Sequence, residues 1–224
     1  MTLTPFVAVT NESTVLNQAD YASLIQALQM QVHTDFRPIW NTAAHLFPGT
    51  PTTTEWQLVI LDTADQAGAL GYHETTPAGY PLGKVFAKTT LDDGGSVSVT
   101  ASHELLEMLA DPYIDTAVQV AQDTFYSLEV CDPCEADAYS YTLNGVAVSD
   151  FVTPTWFSGG SAPYDHGHAI TRPHELLSGG YIGRWTPSTG WTQRVQDATA
   201  PKSPRLQRRA QKHGQPGELK RVKH

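Results

Sequence analysis

The chain has 224 residues with a formal net charge of −9, and 40% of them are apolar, which suits one domain of ordinary size with a real core. No stretch approaches the roughly 20 apolar residues that span a bilayer, so no membrane partner is expected. Of 14 Lys/Arg and 23 Asp/Glu, eight and one fall in residues 201–224, leaving six and 22 in residues 1–200; so acidic a body argues against nucleic acid as its partner.

The opening, MTLTPFVAVTNEST, lacks the basic and long apolar segments of a secretion signal. The chain is therefore expected to stay in the cytoplasm or to be assembled into a virion. FVAVTN (6–11) reads as a short buried strand. In 17–36, Tyr21, Leu24, Ile25, Leu28 and Val32 fall on one helical face, with Asn17 as N-cap and Pro38 as the stop. WQLVILD (56–62) is a continuous apolar run that belongs at the centre of a sheet. Residues 66–84 are rich in Gly and Pro and read as a long loop. KVFAKTT (84–90) alternates like a strand with one wet face, a candidate sheet edge for pairing with an extended peptide. DDGG (92–95) turns the chain, and SVSVTASHELLEMLA passes through a possible short strand into a helix over about 98–111, stopping before Asp111–Pro112. FYSLEV, YSYTLNGVAVSDFV and GYIGRW suggest short strands, with a hairpin turn at Asn144–Gly145. The order points to an α+β fold: a mixed twisted sheet with an N-terminal helix and an active-site helix, then an irregular β-rich part. Residues 1–200 form the single domain. The basic segment 201–224 reads as a solvated, flexible tail or, in a sharper reading, an arm that docks on an acidic protein surface or a neighbouring subunit.

Chemistry concentrates in ASHELLEMLADP (101–112). His103, Glu107 and Asp111 share one helical stripe, and Ala101, Leu105 and Leu109 another nearly opposite. Two ligands four residues apart is how HExxH helices grip zinc, with the Glu after the first His as general base. Here Glu107 replaces the second His, so the pattern is HExxE and Glu104 is the base candidate. Downstream, SLEVCDPCEAD places Glu129, Asp132, Glu135 and Asp137 within nine residues, a crowding that a cation would relieve. Glu129 is the expected third ligand, Asp132 the acceptor that orients His103 through its other ring nitrogen, and Asp111 a competitor for either role. His73, in GYHET, is a further candidate ligand. Cys131 and Cys134 read as structural thiols or a local disulfide, with metal ligation the lesser alternative. A second HELL (174–177) follows Pro173 and meets Gly179–Gly180, so it cannot present two ligands on a helix. DHGH (165–168) resembles a metal-binding tract.

SHELLEMLADP followed by EVCDPCE resembles the zincin-type metallopeptidases. It is similar to the HE-x-x-E…DP…E-x-x-D-x-C pattern of plant Exordium-like (phosphate-induced) proteins. With ALGYHETTPAGYPLGKVFA, VSDFVTPTWF and LLSGGY it resembles a group of uncharacterised bacterial and phage proteins over most of residues 6–185. The resemblance implies a zincin-like fold and a metallopeptidase activity, marking His103, Glu104, Glu107, Glu129 and Asp132. One histidine with two glutamates is a harder donor set than two histidines with one, so the expected cofactor is zinc or another divalent cation. The expected function is hydrolysis of a peptide or protein substrate by metal-activated water. The alternative is a virion or tail-associated structural protein on the same scaffold.

Overall fold

The computed structural model describes residues 4–52 and 54–196 and the backbone of 220–221. Three β-sheets and a few helices are arranged around one main hydrophobic cluster, a mixed α+β architecture. The first sheet runs β2 (His45–Pro48), β1 (Phe6–Asn11), β3 (Trp56–Leu61), β5 (Pro81–Phe86), β4 (Gly71–Thr75). Its first four strands are parallel and β4 is antiparallel to β5. The apolar run WQLVIL is central, as its composition requires. The expected loop over 66–84 instead holds β4 and most of β5, joined by a tight turn in which Thr76 donates to Tyr80 and Gly79 to Thr76. The strand expected over 84–90 ends at Phe86, and Ala87–Asp92 form a helix (α3). Because β5 is paired on both sides, it offers no edge; β2 and β4 are the terminal strands.

Helix α1 (Gln18–Met30) starts as expected. Asn17 accepts from the backbone N–H groups of Ala19 and Asp20, a side-chain cap for donors with no helical partner. Tyr21, Leu24, Leu28 and Val32 are buried on the predicted face, while Ile25 is only half-buried. Pro38 does not end the segment. The chain widens into a π-helical stretch, Gln31–Phe36, and closes with a last α turn, α2 (Arg37–Trp40), capped by left-handed Asn41. That widening turns Gln31 inward, where it bridges elements. Its amide donates to the Ser149 carbonyl (2.8 Å) and the Tyr141 hydroxyl (3.1 Å), and its oxygen accepts from Ser102 (2.6 Å). Such π bulges recur at functional positions.

Helix α4 (Val97–Ala110) has no strand before it; Ser96 caps it and the whole VSVTASHELLEMLA segment is helical. It packs against β3, β4, β5 and the strand β9 (Val146–Val148), which pairs with β8 (Tyr141–Leu143) through the Asn144–Gly145 turn. All nine residues from Ala101 to Leu109 are buried. Its polar stripe is therefore enclosed by other elements rather than presented to solvent, and each polar group there needs a partner.

The second sheet runs β11 (Gly190–Val195), β10 (Tyr181–Thr186), β7 (Thr124–Ser127), β6 (Thr116–Ala121), with Lys220–Arg221 added as β12 in parallel to β6. A short helix, α5 (Pro154–Ser158), sets Trp156 and Phe157 in the core, and full burial of such side chains stabilises by about 1.5–3 kcal/mol each. Apart from those two residues, the basic tail lies outside the described residues. No described helix is long and apolar enough to cross a membrane.

Candidate metal centre

Three segments converge under α4. The helix supplies His103, Glu104 and Glu107, strand β4 supplies His73, and the turn after β7 supplies Cys131, Asp132 and Glu135. His103, Glu107, Asp132, Glu104 and His73 all have side chains no more than 9% exposed.

The i, i+4 spacing does what helical geometry dictates: Nε2 of His103 lies 3.3 Å from Oε1 of Glu107. Oδ1 of Asp132 lies 3.3 Å from the same nitrogen. The expectation that Asp132 would orient His103 through its other ring nitrogen is thereby corrected: Asp132 and Glu107 converge on one ring atom. The turn is held to the helix by Glu107, whose Oε1 accepts from the backbone N–H groups of Cys131 and Asp132, each at 3.2 Å. These bonds fix the carboxylate as well as the turn.

Oε2 of Glu107 faces the other way, 4.0 Å from Nδ1 of His73, and Oε2 of Glu104 lies 4.0 Å from the same nitrogen. Strand pleating puts His73 there. Its partner across the ladder is Gly83, and Gly71 lies two residues earlier on the same face. A Cβ at Gly71 would sit 2.8 Å from both Cγ and Oε1 of Glu104 and 2.9 Å from the Lys84 carbonyl. The glycine thus makes room for the Glu104 carboxylate beside His73. On the opposite face of β4 and β5, Tyr72 and Lys84 meet Asp65, and Lys84 also pairs with Glu74.

The ring of His73 has a defined orientation. Its Nε2 lies 3.2 Å from the Asp111 carbonyl, which can only accept, so Nε2 carries a proton. That bond turns Nδ1 toward the two carboxylates, the orientation in which histidines anchored by a carbonyl present a nitrogen to a metal. Asp111 itself works structurally at the helix end: Oδ1 accepts from the N–H groups of Asp115 and Thr116.

Three sets of donor atoms lie within 4.8 Å of one another: His73–Glu104–Glu107, His103–Glu107–Cys131 and His103–Asp132–Glu135. These buried histidine, glutamate and cysteine groups could coordinate a metal ion. Glu129 is buried at the end of the same segment but belongs to none of the three, nor does Asp111. Glu135, in their place, is a donor that sequence reasoning did not single out. Burial, with Asp132 beside it, pushes its carboxyl up to about 8. The Asp132–Glu135 spacing across one 3-10 turn (Asp132–Cys134) was the available signal. Cys131 and Cys134 are free, buried thiols; burial pushes both up, with Cys134 adding to the effect at Cys131 and the Asp150 carboxylate to that at Cys134.

The second HELL is non-helical, as expected. His174 has a positive φ of 60°, its Nε2 lies 2.8 Å from the Phe157 carbonyl, and its own carbonyl accepts from Arg194. In DHGH, the His166 ring stacks on Phe151 with centroids 5.1 Å apart. Neither histidine of that tract joins a donor group among the described residues.

Comparison with protein-family models, with curated proteins and with solved structures returned no match.

Proposed function

We propose that the protein is a metal-dependent hydrolase acting on peptide bonds, built on a zincin-like active-site helix. The observation that carries this reading is the approach of Glu107 and Asp132 to one nitrogen of His103, each at 3.3 Å, with all three side chains at most 9% exposed. His103, Glu107 and Asp132, with Cys131 or Glu135 at the margin, would hold one divalent cation; it would polarise the scissile carbonyl and make an attacking water acidic. The donor chemistry fits such an ion: one imidazole with oxygen donors suits zinc, and equally manganese or iron. Glu104, which meets Glu107 at His73, would take the water's proton and return it to the leaving amine. His73, between Glu104 and Glu107, would fix both carboxylates. β4 is a terminal strand and carries His73, so an extended peptide pairing along it would lead toward the centre.

The test is direct. Protein purified without added metal should carry a divalent transition metal, and stripping it with a chelator should abolish hydrolysis of an unstructured protein such as casein. Glu104→Gln should abolish hydrolysis while the chain still melts cooperatively. Hydrolysis that survives Glu104→Gln, or metal-free protein with full activity, overturns the proposal.

A further inference from the structure

The donors of α4 do not converge on one point. Glu107 turns its two oxygens in opposite directions, Oε1 to His103 and the turn, Oε2 to His73 and Glu104. Each side has its own imidazole and its own additional carboxylates: His73 with Glu104 on one, His103 with Asp132 and Glu135 on the other. From this geometry we infer that the protein binds two divalent cations, bridged by the Glu107 carboxylate. The inference rests on the reading of α4 as a metal-holding helix and extends it: Glu104 and His73 become ligands of a second ion, which would then activate the water in place of Glu104 as base.

Charge supports two ions over one. Glu104, Glu107, Asp132 and Glu135 bring four carboxylates together with two imidazoles. Two dications would balance all four once they are ionised. Lys84, the basic residue of β5, is engaged on the other face by Asp65 and Glu74. Two imidazoles with four carboxylates is also the donor inventory by which carboxylate-bridged dinuclear centres in helical bundles hold their ions.

The orientation of His73 is an independent observation. The Asp111 carbonyl accepts from Nε2, which turns Nδ1 toward one oxygen each of Glu104 and Glu107 at 4.0 Å. Those three atoms are near enough to one another to share one cation, which would take the place of any proton on Nδ1. Oxygen-rich donors favour the harder first-row dications, manganese(II) and iron(II), with zinc also accommodated.

The experiment is a titration of the full-length, chelator-treated chain with manganese(II), followed by elemental analysis and electron paramagnetic resonance. The expected result is about two ions per chain, with an exchange-coupled spectrum in place of that of isolated ions. His73→Ala should bind about one ion with an uncoupled spectrum. One ion in the unmodified chain overturns the second site and leaves the proposed hydrolase standing. No bound ion overturns both. Two coupled ions in His73→Ala overturn the assignment of His73. Stoichiometry in the unmodified chain needs no variant, so a variant that fails to fold leaves the test intact.

Discussion

Gly71 and Glu104 occupy one space: the side chain absent from the first is replaced by the carboxylate of the second, 2.8 Å from where a Cβ would be. The neighbouring Lys84 carbonyl, at 2.9 Å, is backbone and cannot step aside. Gly71→Ala should therefore destabilise the fold by about 1–3 kcal/mol, the usual cost of overfilling a packed interior. It should also weaken metal binding by displacing Glu104. Denaturant unfolding and a metal titration on the same variant measure the two effects. Unchanged stability would show that β4 yields more readily than its pairing suggests.

Glu107→Gln separates holding the turn from holding a cation. The amide oxygen can still accept from the N–H groups of Cys131 and Asp132, and one buried negative charge is removed from a carboxylate-rich region. In chelator the variant should melt at or above the temperature of the unmodified chain, while its metal affinity falls by about 100-fold or more, since an anionic ligand is lost. Thermal melts with and without metal provide the comparison. A variant that keeps its affinity would remove Glu107 from the ligand set.

HELLE revealed the helix and two of its donors because i, i+4 spacing is a local property. His73 was named from its residue type, but the strand that carries it was obscured: Gly71, Gly79, Pro81 and Gly83 suggest a loop by composition. Each has a structural reason within a hairpin, namely room for Glu104, a positive φ of 85° at the turn, a strand start that needs no donor, and room beside Leu58. Which glycine serves packing and which serves a turn depends on what lies across the sheet, and no local pattern records that. Likewise Glu129 and Glu135 flank the same cysteine pair, and only the 3-10 turn at Asp132–Cys134 decides which of them joins the donors. The π-helical widening at Gln31 was hidden for the same reason, because the groups that Gln31 then meets, Ser102 and Ser149, lie 71 and 118 residues away.

Gln31→Leu tests that bridge. The substitution leaves the Ser149 carbonyl and the Ser102 hydroxyl buried without the amide between them, which should cost about 2–4 kcal/mol. Ser102 lies on α4 beside His103, so metal affinity should fall as well. Equilibrium unfolding and metal titration give both numbers, and a loss below about 1 kcal/mol would mean that water replaces the amide.

Another buried pair should add to the effect of Glu135 on acid–base behaviour. Asp150 and Asp165 are both buried; burial, and then the hydrogen bond and charge of Asp165, push Asp150 up to about 8. In the unfolded chain an aspartate titrates near 3.9, as is usual. Below about pH 4 both states hold the proton and its contribution to stability is complete. Between about pH 4 and pH 8 only the unfolded chain releases it, so stability declines as pH rises. Asp150→Asn, whose amide can donate to Asp165, should flatten that decline and melt higher than the unmodified chain at pH 8. Melting temperatures across pH 4–9 check the sign; a parallel decline in the variant would assign it to other groups.

The depth of the α4 centre governs rates as well as affinities. With the carboxylates of Glu104 and Glu107 and the ring of His73 almost wholly enclosed, an ion held there can leave only when the terminal strand β4 or the turn after β7 opens. Exchange with solution ions should then follow the frequency of local unfolding, not the strength of the individual bonds. Such a protein would retain its first ion through long dilution, so the ion available during folding would largely decide its chemistry.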